Sequence, residues 1–125
     1  MATQTATAPR STTFLQVTVA LQTATIFLQA VSAGLLLTAH YGEVIHGVGA
    51  RVMYAASMLY VLAAVLAWKP GGGSPRPVLY ATGFLVLASA QVVLGIAHVP
   101  SVHVPLGILM FGLSVLALTR PRARS

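Results

Sequence analysis

Residues 14–39, 44–67, 78–97 and 102–119 form four apolar runs that hold a single formally charged side chain between them, Arg51. A helix crosses a hydrocarbon core of about 30 Å with roughly 20 residues, and each run is about that long or longer. None of the runs alternates polar with apolar residues, and each is too long for a barrel strand. Helices are then the spanning form that satisfies the backbone. The expectation is an all-α fold, an integral membrane four-helix bundle made of two hairpins. Only 6% of the residues are charged, whereas an ordinary soluble domain is about 25% charged. The lipid bilayer is therefore the expected solvent and first partner.

The first run is longer than a signal-peptide core of about 7–15 residues. It also carries Gln22, Gln29 and Ser32, which a cleaved leader does not need, although Val31-Ser32-Ala33 is a weak cleavage pattern. The expectation is a retained helix. Residues 1–13 are rich in Thr and Ala and lack apolar periodicity, so they read as a disordered tail. Residues 69–77, KPGGGSPRP, read as a loop, and 120–125 as a short basic tail.

Six of the seven basic residues, Arg10, Lys69, Arg76, Arg120, Arg122 and Arg124, fall on one side of a chain that crosses four times. The connections at 40–43 and 98–101 carry no Lys or Arg. By the positive-inside rule both termini and the central loop are cytoplasmic, in the plasma membrane of a bacterium. Trp68 and Tyr80 then lie near the inner interface and Tyr41 near the outer one. The sequence pI of about 11.0 comes from these flanking residues. It reads as a topology signal and as contact with anionic lipid, not as nucleic-acid binding. Arg51, near the start of the second run, is expected to snorkel to the outer headgroups.

Several chemistries are excluded. Without cysteine there is no disulfide, no thiolate zinc and no thiolate iron–sulfur cluster. With one acidic residue, Glu43, no Ser-His-Asp set exists. The GGGS of 71–74 lacks the Lys and Ser/Thr that complete a phosphate loop.

All four histidines fall at the outer helix ends: His40 closes the first run, His46 opens the second, His98 closes the third and His103 opens the fourth. Steps of three and four residues trace one face of a helix. From the histidines inward they give His40, Leu36, Ala33, Gln29, Thr25 and Gln22; His46, Ala50, Met53 and Ser57; His98, Gly95, Gln91 and Ala88; and His103, Gly107, Met110, Ser114 and Ala117. Each stripe is mostly small or polar, while the opposite faces are bulky and apolar. In a membrane bundle the small and polar faces turn inward. Gln29, Gly34, His40, His46 and Gly47 are echoed by Gln91, Gly95, His98, His103 and Gly107 with spacings off by one to three residues. This weak repeat suggests two hairpins related by a pseudo-twofold axis along the membrane normal. Any one of these histidines alone fits a structural role at the interface. Jointly they supply imidazoles on facing helices, which bind iron, copper or zinc, and which can hold a haem from both sides with glycines making room for the macrocycle. Spacing alone treats all four histidines alike.

Glu43-Val44-Ile45-His46 resembles the E-x-x-H motif of the haem A synthase family, and Gln91-Val92-Val93-Leu94-Gly95 resembles its Q-x-x-L-G stretch. His103 falls where a half of that family places its second haem-ligating histidine. The resemblance runs over about 15–118, one four-helix half of an eight-helix enzyme. The chain is also similar to small actinobacterial four-helix membrane proteins. The resemblance implies that His46 and His103 are axial ligands of haem b near the outer face, with Glu43 beside it. Arg51 is then placed to meet a propionate, and Gln91, Gly95 and Gly107 line the site; His40 and His98 are weaker ligand candidates. The family often carries a long outer loop with paired cysteines after the first helix, where this chain has about four residues and no cysteine. It also uses two halves where this chain has one. Haem A synthesis is therefore not expected of the single chain, and a homodimer or larger membrane complex would restore eight helices. Two functions follow as expectations. One is a b-type haem protein for electron transfer or haem handling. The alternative is a non-haem membrane protein, a subunit of a larger complex or a transporter.

Overall fold

The computed structural model describes residues 10–120. The described chain is four α-helices: α1 (Arg10–Leu36), α2 (Gly42–Trp68), α3 (Arg76–Ile96) and α4 (Pro100–Thr119). All four are long and apolar enough to cross a membrane. Of the expected tails, residues 1–9 and 121–125 lie outside the described residues, while 10–13 belong to α1. The apolar pattern begins at Phe14, so it misses this polar first turn.

Short connections make sequence neighbours antiparallel. Each helix packs against two others in the cyclic order α1, α2, α3, α4, and the diagonal pairs α1/α3 and α2/α4 make no close backbone approach. The α1–α2 hairpin is packed most extensively and α3–α4 least. One end of the bundle is basic and aromatic. There the Arg120 guanidinium lies 4.1 Å from the Tyr80 ring centre, joining the end of α4 to the start of α3, and the Lys69 ammonium lies 4.9 Å from that of Trp68. The other end carries the four histidines.

The bundle is polar inside and apolar outside. Gln22, Thr18, Ser57 and Ser114 are almost wholly buried, whereas Leu21, Leu28, Val44 and Leu62 are exposed. Lipid tails are as apolar as leucine, so burying leucine gains nothing and close packing with interhelical hydrogen bonds holds the helices together. Two packed layers fill the interior: Ile26, Met53, Phe84, Ala88 and Met110 toward the histidine end, and Val19, Tyr60, Ala64 and Ala81 toward the basic end. The Thr23 and Ser114 hydroxyls, 2.6 Å apart, tie α1 to α4, and the Tyr54 and Ser89 hydroxyls, 3.1 Å apart, tie α2 to α3.

The helix ends explain two of the histidines. The Val99 N–H donates to Leu94 O and the His98 N–H to Gly95 O. This is the Schellman termination, and His98 takes its left-handed position with φ 54°. At the first turn the Gly42 N–H donates to Ala39 O, and a β-carbon on Gly42 would collide with the Leu35 carbonyl. α1 ends at Leu36, so His40 sits in this turn, edge-on to the Tyr41 ring at 5.2 Å. α4 begins at Pro100, which places Pro105 in its second turn. Pro105 is exposed, and an interior proline is tolerated in membrane helices where local adjustment re-satisfies the freed carbonyl.

Candidate functional site

The inward stripes of α2 and α4 match residue for residue. His46, Ala50, Met53 and Ser57 have the same spacing as His103, Gly107, Met110 and Ser114. Met53, Ser57, Met110 and Ser114 are buried, and the histidines and small residues above them are half-buried. The repeat is thus in register between the diagonal helices, and Gly107 corresponds to Ala50. Gly47, which the weaker repeat pairs with Gly107, is exposed with nothing near it.

This register brings His46 and His103 together from opposite corners of the bundle. Their ring centres are 6.3 Å apart and their planes inclined by 69°. Imidazole nitrogens lie roughly 1.1 Å from the ring centre, so those of the two rings approach no nearer than about 4 Å, beyond hydrogen-bond range. One atom fits between them.

Each ring is held by the helix before it in the chain. His103 Nδ1 lies 3.1 Å from the Gln91 carbonyl oxygen on α3. A carbonyl only accepts, so Nδ1 carries the proton and donates. His46 Nδ1 lies 2.9 Å from Ser32 Oγ on α1. When the Ser32 hydroxyl donates to Gln29 O at 3.0 Å or to Gln29 Oε1 at 3.3 Å, it is free to accept from His46 Nδ1. Gln29 Nε2 donates to the His46 carbonyl at 3.2 Å and closes the set. In that arrangement both neutral imidazoles keep a lone pair on Nε2, which is how a metal-binding histidine is prepared.

Glycines make the space. A β-carbon on Gly95 would stand 3.4 Å from His103 Cε1. One on Gly107 would stand 2.8 Å from Gln91 Nε2, and one on Gly49 would stand 2.8 Å from Gln29 Nε2. Each hairpin therefore seats a glutamine of its first helix on a glycine of its second. The two halves differ in one respect. Gln29 Oε1 has the Ser32 hydroxyl beside it, whereas the residue three after Gln91 is Leu94, and Gln91 Oε1 is buried without a partner.

Of the residues singled out in the sequence, His46, His103, Gln91, Gly95 and Gly107 gather here. Glu43 and Arg51 do not join them. Both are exposed and line a cavity on the outer face of α2 with Val44, Gly47 and Val48. Three residues along a helix is a turn of about 60° away from His46, and Ser32, not Glu43, bonds the imidazole. His40 and His98 serve the turns. Gln29, Ser32 and Gly49 belong to the site although sequence reading did not assign them to it. Their signal was positional, since Gln29 and Ser32 are one turn apart on α1 and Gly49 follows His46 by three.

Among the described residues no three His, Cys, Asp or Glu side chains converge on a point as a small metal centre would require. Comparison of the chain with family models, with curated proteins and with solved structures gives no match.

Proposed function

We propose that the chain is a membrane-embedded b-type haem protein acting in electron transfer or haem handling, in which His46 and His103 would hold the iron. The observation that carries this reading is the pair itself. Two imidazoles bound to opposite sides of one metal, each at a bond of about 2.0–2.1 Å, have ring centres about 6 Å apart. The observed separation is 6.3 Å. A haem needs only two side chains, because the macrocycle supplies the other four nitrogens, so a pair suffices where a bare ion would need more. The donor set fits: two neutral imidazoles with Nδ1 anchored, and the close approaches at Gly95 and Gly107 that side chains would fill.

When bound, the haem would supply a one-electron couple, and ligation by two imidazoles would favour electron transfer over oxygen activation. The chain's own residues position and shield. Ser32 and the Gln91 carbonyl hold the two rings by Nδ1, and Met53 and Met110 close the floor beneath. The same reading places the site near the outer face, with both termini and the 69–75 connection cytoplasmic. The cluster of Lys69, Arg76 and Arg120 at the opposite end supports that orientation.

The test is an absorbance spectrum of the detergent-purified protein, oxidised and then reduced with dithionite. A Soret band that sharpens on reduction, with separate α and β bands, is expected. A featureless spectrum after expression with ample haem refutes the reading. The second reading, a non-haem subunit or small transporter, would then lead. It draws support from the polar layer below the histidines, where Gln22 is 1% exposed and its Oε1 has no partner.

A further inference from the structure

Arg51 and Glu43 are the charges that the histidine pair leaves unused. They stand on the exposed face of α2, eight residues apart, about 12 Å along the axis. α2 has 27 residues, about 40 Å of helix against a hydrocarbon core of about 30 Å. With Trp68 at one boundary, the first turns of α2 rise into the headgroup layer of the other leaflet. Arg51 then lies just inside the hydrocarbon edge and Glu43 above it. No ion pair joins them to each other or to any other described residue. A guanidinium that faces lipid at this depth needs a polar partner from outside the chain.

The surface around them is a shallow, open depression along one face of α2. Glu43, Val44, Gly47, Val48 and Arg51 line a cavity of about 370 Å³. Val48 also lines a second cavity, of about 340 Å³, in the groove between α1 and α2, whose walls include Leu28, Val31, Leu35, Ile45 and Val52. A depression with one cation and one anion thus borders a mostly apolar groove, and Val48 lines both. Gly47 forms the floor of the depression, and a β-carbon there would meet nothing within 4 Å.

We propose that this depression and groove bind one phospholipid of the leaflet at the histidine end, with a headgroup that carries both a phosphate and a primary ammonium. The depth order fits. The Arg51 fork takes the phosphate oxygens at the hydrocarbon edge, the Glu43 carboxylate takes the ammonium farther out, and an acyl chain lies in the α1–α2 groove. Helical side chains lean toward the N-terminus, Glu43 and Arg51 alike, and the longer Arg51 side chain reaches farther, which shortens the span between the two charges. Its charged end lies apart from the histidine pair, whereas the groove has Ser32 and Gly49 in common with the histidine site.

Native mass spectrometry of the detergent-purified chain tests this, with equal amounts of phosphatidylethanolamine, phosphatidylcholine and phosphatidylglycerol of identical acyl chains. One phosphatidylethanolamine per chain should be retained in preference to the other two. Arg51→Gln should weaken its retention by about tenfold, the loss of one charge-assisted pair. Glu43→Gln should erase the preference over phosphatidylcholine, whose headgroup cannot donate a hydrogen bond, while leaving phosphate binding. Gly47→Leu should fill the depression and remove all three lipids with helicity by circular dichroism unchanged. Retention of no lipid by the native sequence overturns the proposal, as does equal or better retention of phosphatidylglycerol. So does a preference that survives Glu43→Gln, or a dimer without lipid that Gly47→Leu abolishes.

Discussion

The imidazoles of His46 and His103 stand 6.3 Å apart, centre to centre, although α2 and α4 occupy opposite corners of the bundle. Helices that make no close backbone approach meet only through the side chains that point to the axis, so the pair marks the centre of the bundle's histidine end. If iron sits between the rings, each is indispensable. His46→Ala and His103→Ala should each abolish the low-spin spectrum of the reduced protein. His40→Ala and His98→Ala should leave it intact, because those residues serve the turns. Difference spectra of the four purified variants check this, and a full spectrum in either of the first two would remove the axial assignment.

Ser32 should matter nearly as much as a ligand while touching no metal. Its hydroxyl is hydrogen-bonded to His46 Nδ1 and is itself fixed by Gln29. Partners that orient a ligating histidine typically contribute 10–100-fold to metal affinity, so Ser32→Ala should weaken haem binding by about that factor. Ser32→Thr keeps the hydroxyl and should restore most of it. Haem titration of the apo-protein measures the affinity, and a shift of the reduction potential in Ser32→Ala separates lost orientation from lost folding.

The inward faces of α2 and α4 were legible in the sequence because membrane bundles invert the usual pattern. A stripe such as His103, Gly107, Met110 and Ser114 stands out against leucine and valine, and the structure turns it inward, with Met110 and Ser114 buried and His103 and Gly107 half-buried. The partnership of Ser32 with His46 was not legible. Periodicity orders residues on one helix, while the register between helices depends on how closely their surfaces approach, which small residues such as Gly49 decide. Glu43 illustrates the opposite error. Its place three residues before His46 suggested a shared role, but the turn of the helix carries it to the lipid face. The role of His98 was hidden for a third reason. Glycine usually holds the left-handed residue of a Schellman end, and histidine in that place resembles a ligand.

Glycine substitutions should divide sharply by position. Gly42→Ala drives a β-carbon into the Leu35 backbone, which cannot yield without opening the α1–α2 turn. Gly83 lies mid-helix with nothing within 4 Å, and replacing an unneeded helical glycine by alanine gains roughly 0.5–1 kcal/mol. Gly42→Ala should therefore lower the midpoint of thermal unfolding in detergent, and Gly83→Ala should leave it unchanged or raise it. Equal midpoints for the two variants would argue against the turn as drawn.

The Thr23–Ser114 hydroxyl contact of 2.6 Å is an interhelical bond between α1 and α4. Such bonds in a membrane protein average about 0.6 kcal/mol and reach about 1.7 at most. A double-mutant cycle of Thr23→Val and Ser114→Ala, read by unfolding in mixed micelles, should give a coupling within that range. Met110 is 1% exposed and fills the interior beside that contact. Met110→Ala leaves a cavity that neither lipid nor water readily fills, and should cost about 2–5 kcal/mol, well above the cycle's coupling.

Orientation can be settled with reporters the chain is ready to accept, since it has no cysteine of its own. Ser74 lies in the connection between α2 and α3, and Ser101 in the first turn of α4 at the opposite end. Both are exposed. In intact bacterial cells a membrane-impermeant maleimide should label Ser101→Cys and spare Ser74→Cys until the membrane is opened. The expected order follows from Lys69, Arg76 and Arg120 lying at the Ser74 end, because basic residues are retained on the cytoplasmic side. The reverse order would place the histidine pair near the cytoplasm. Its electron partner would then be sought inside the cell, while the contacts that hold the two imidazoles would be unaffected.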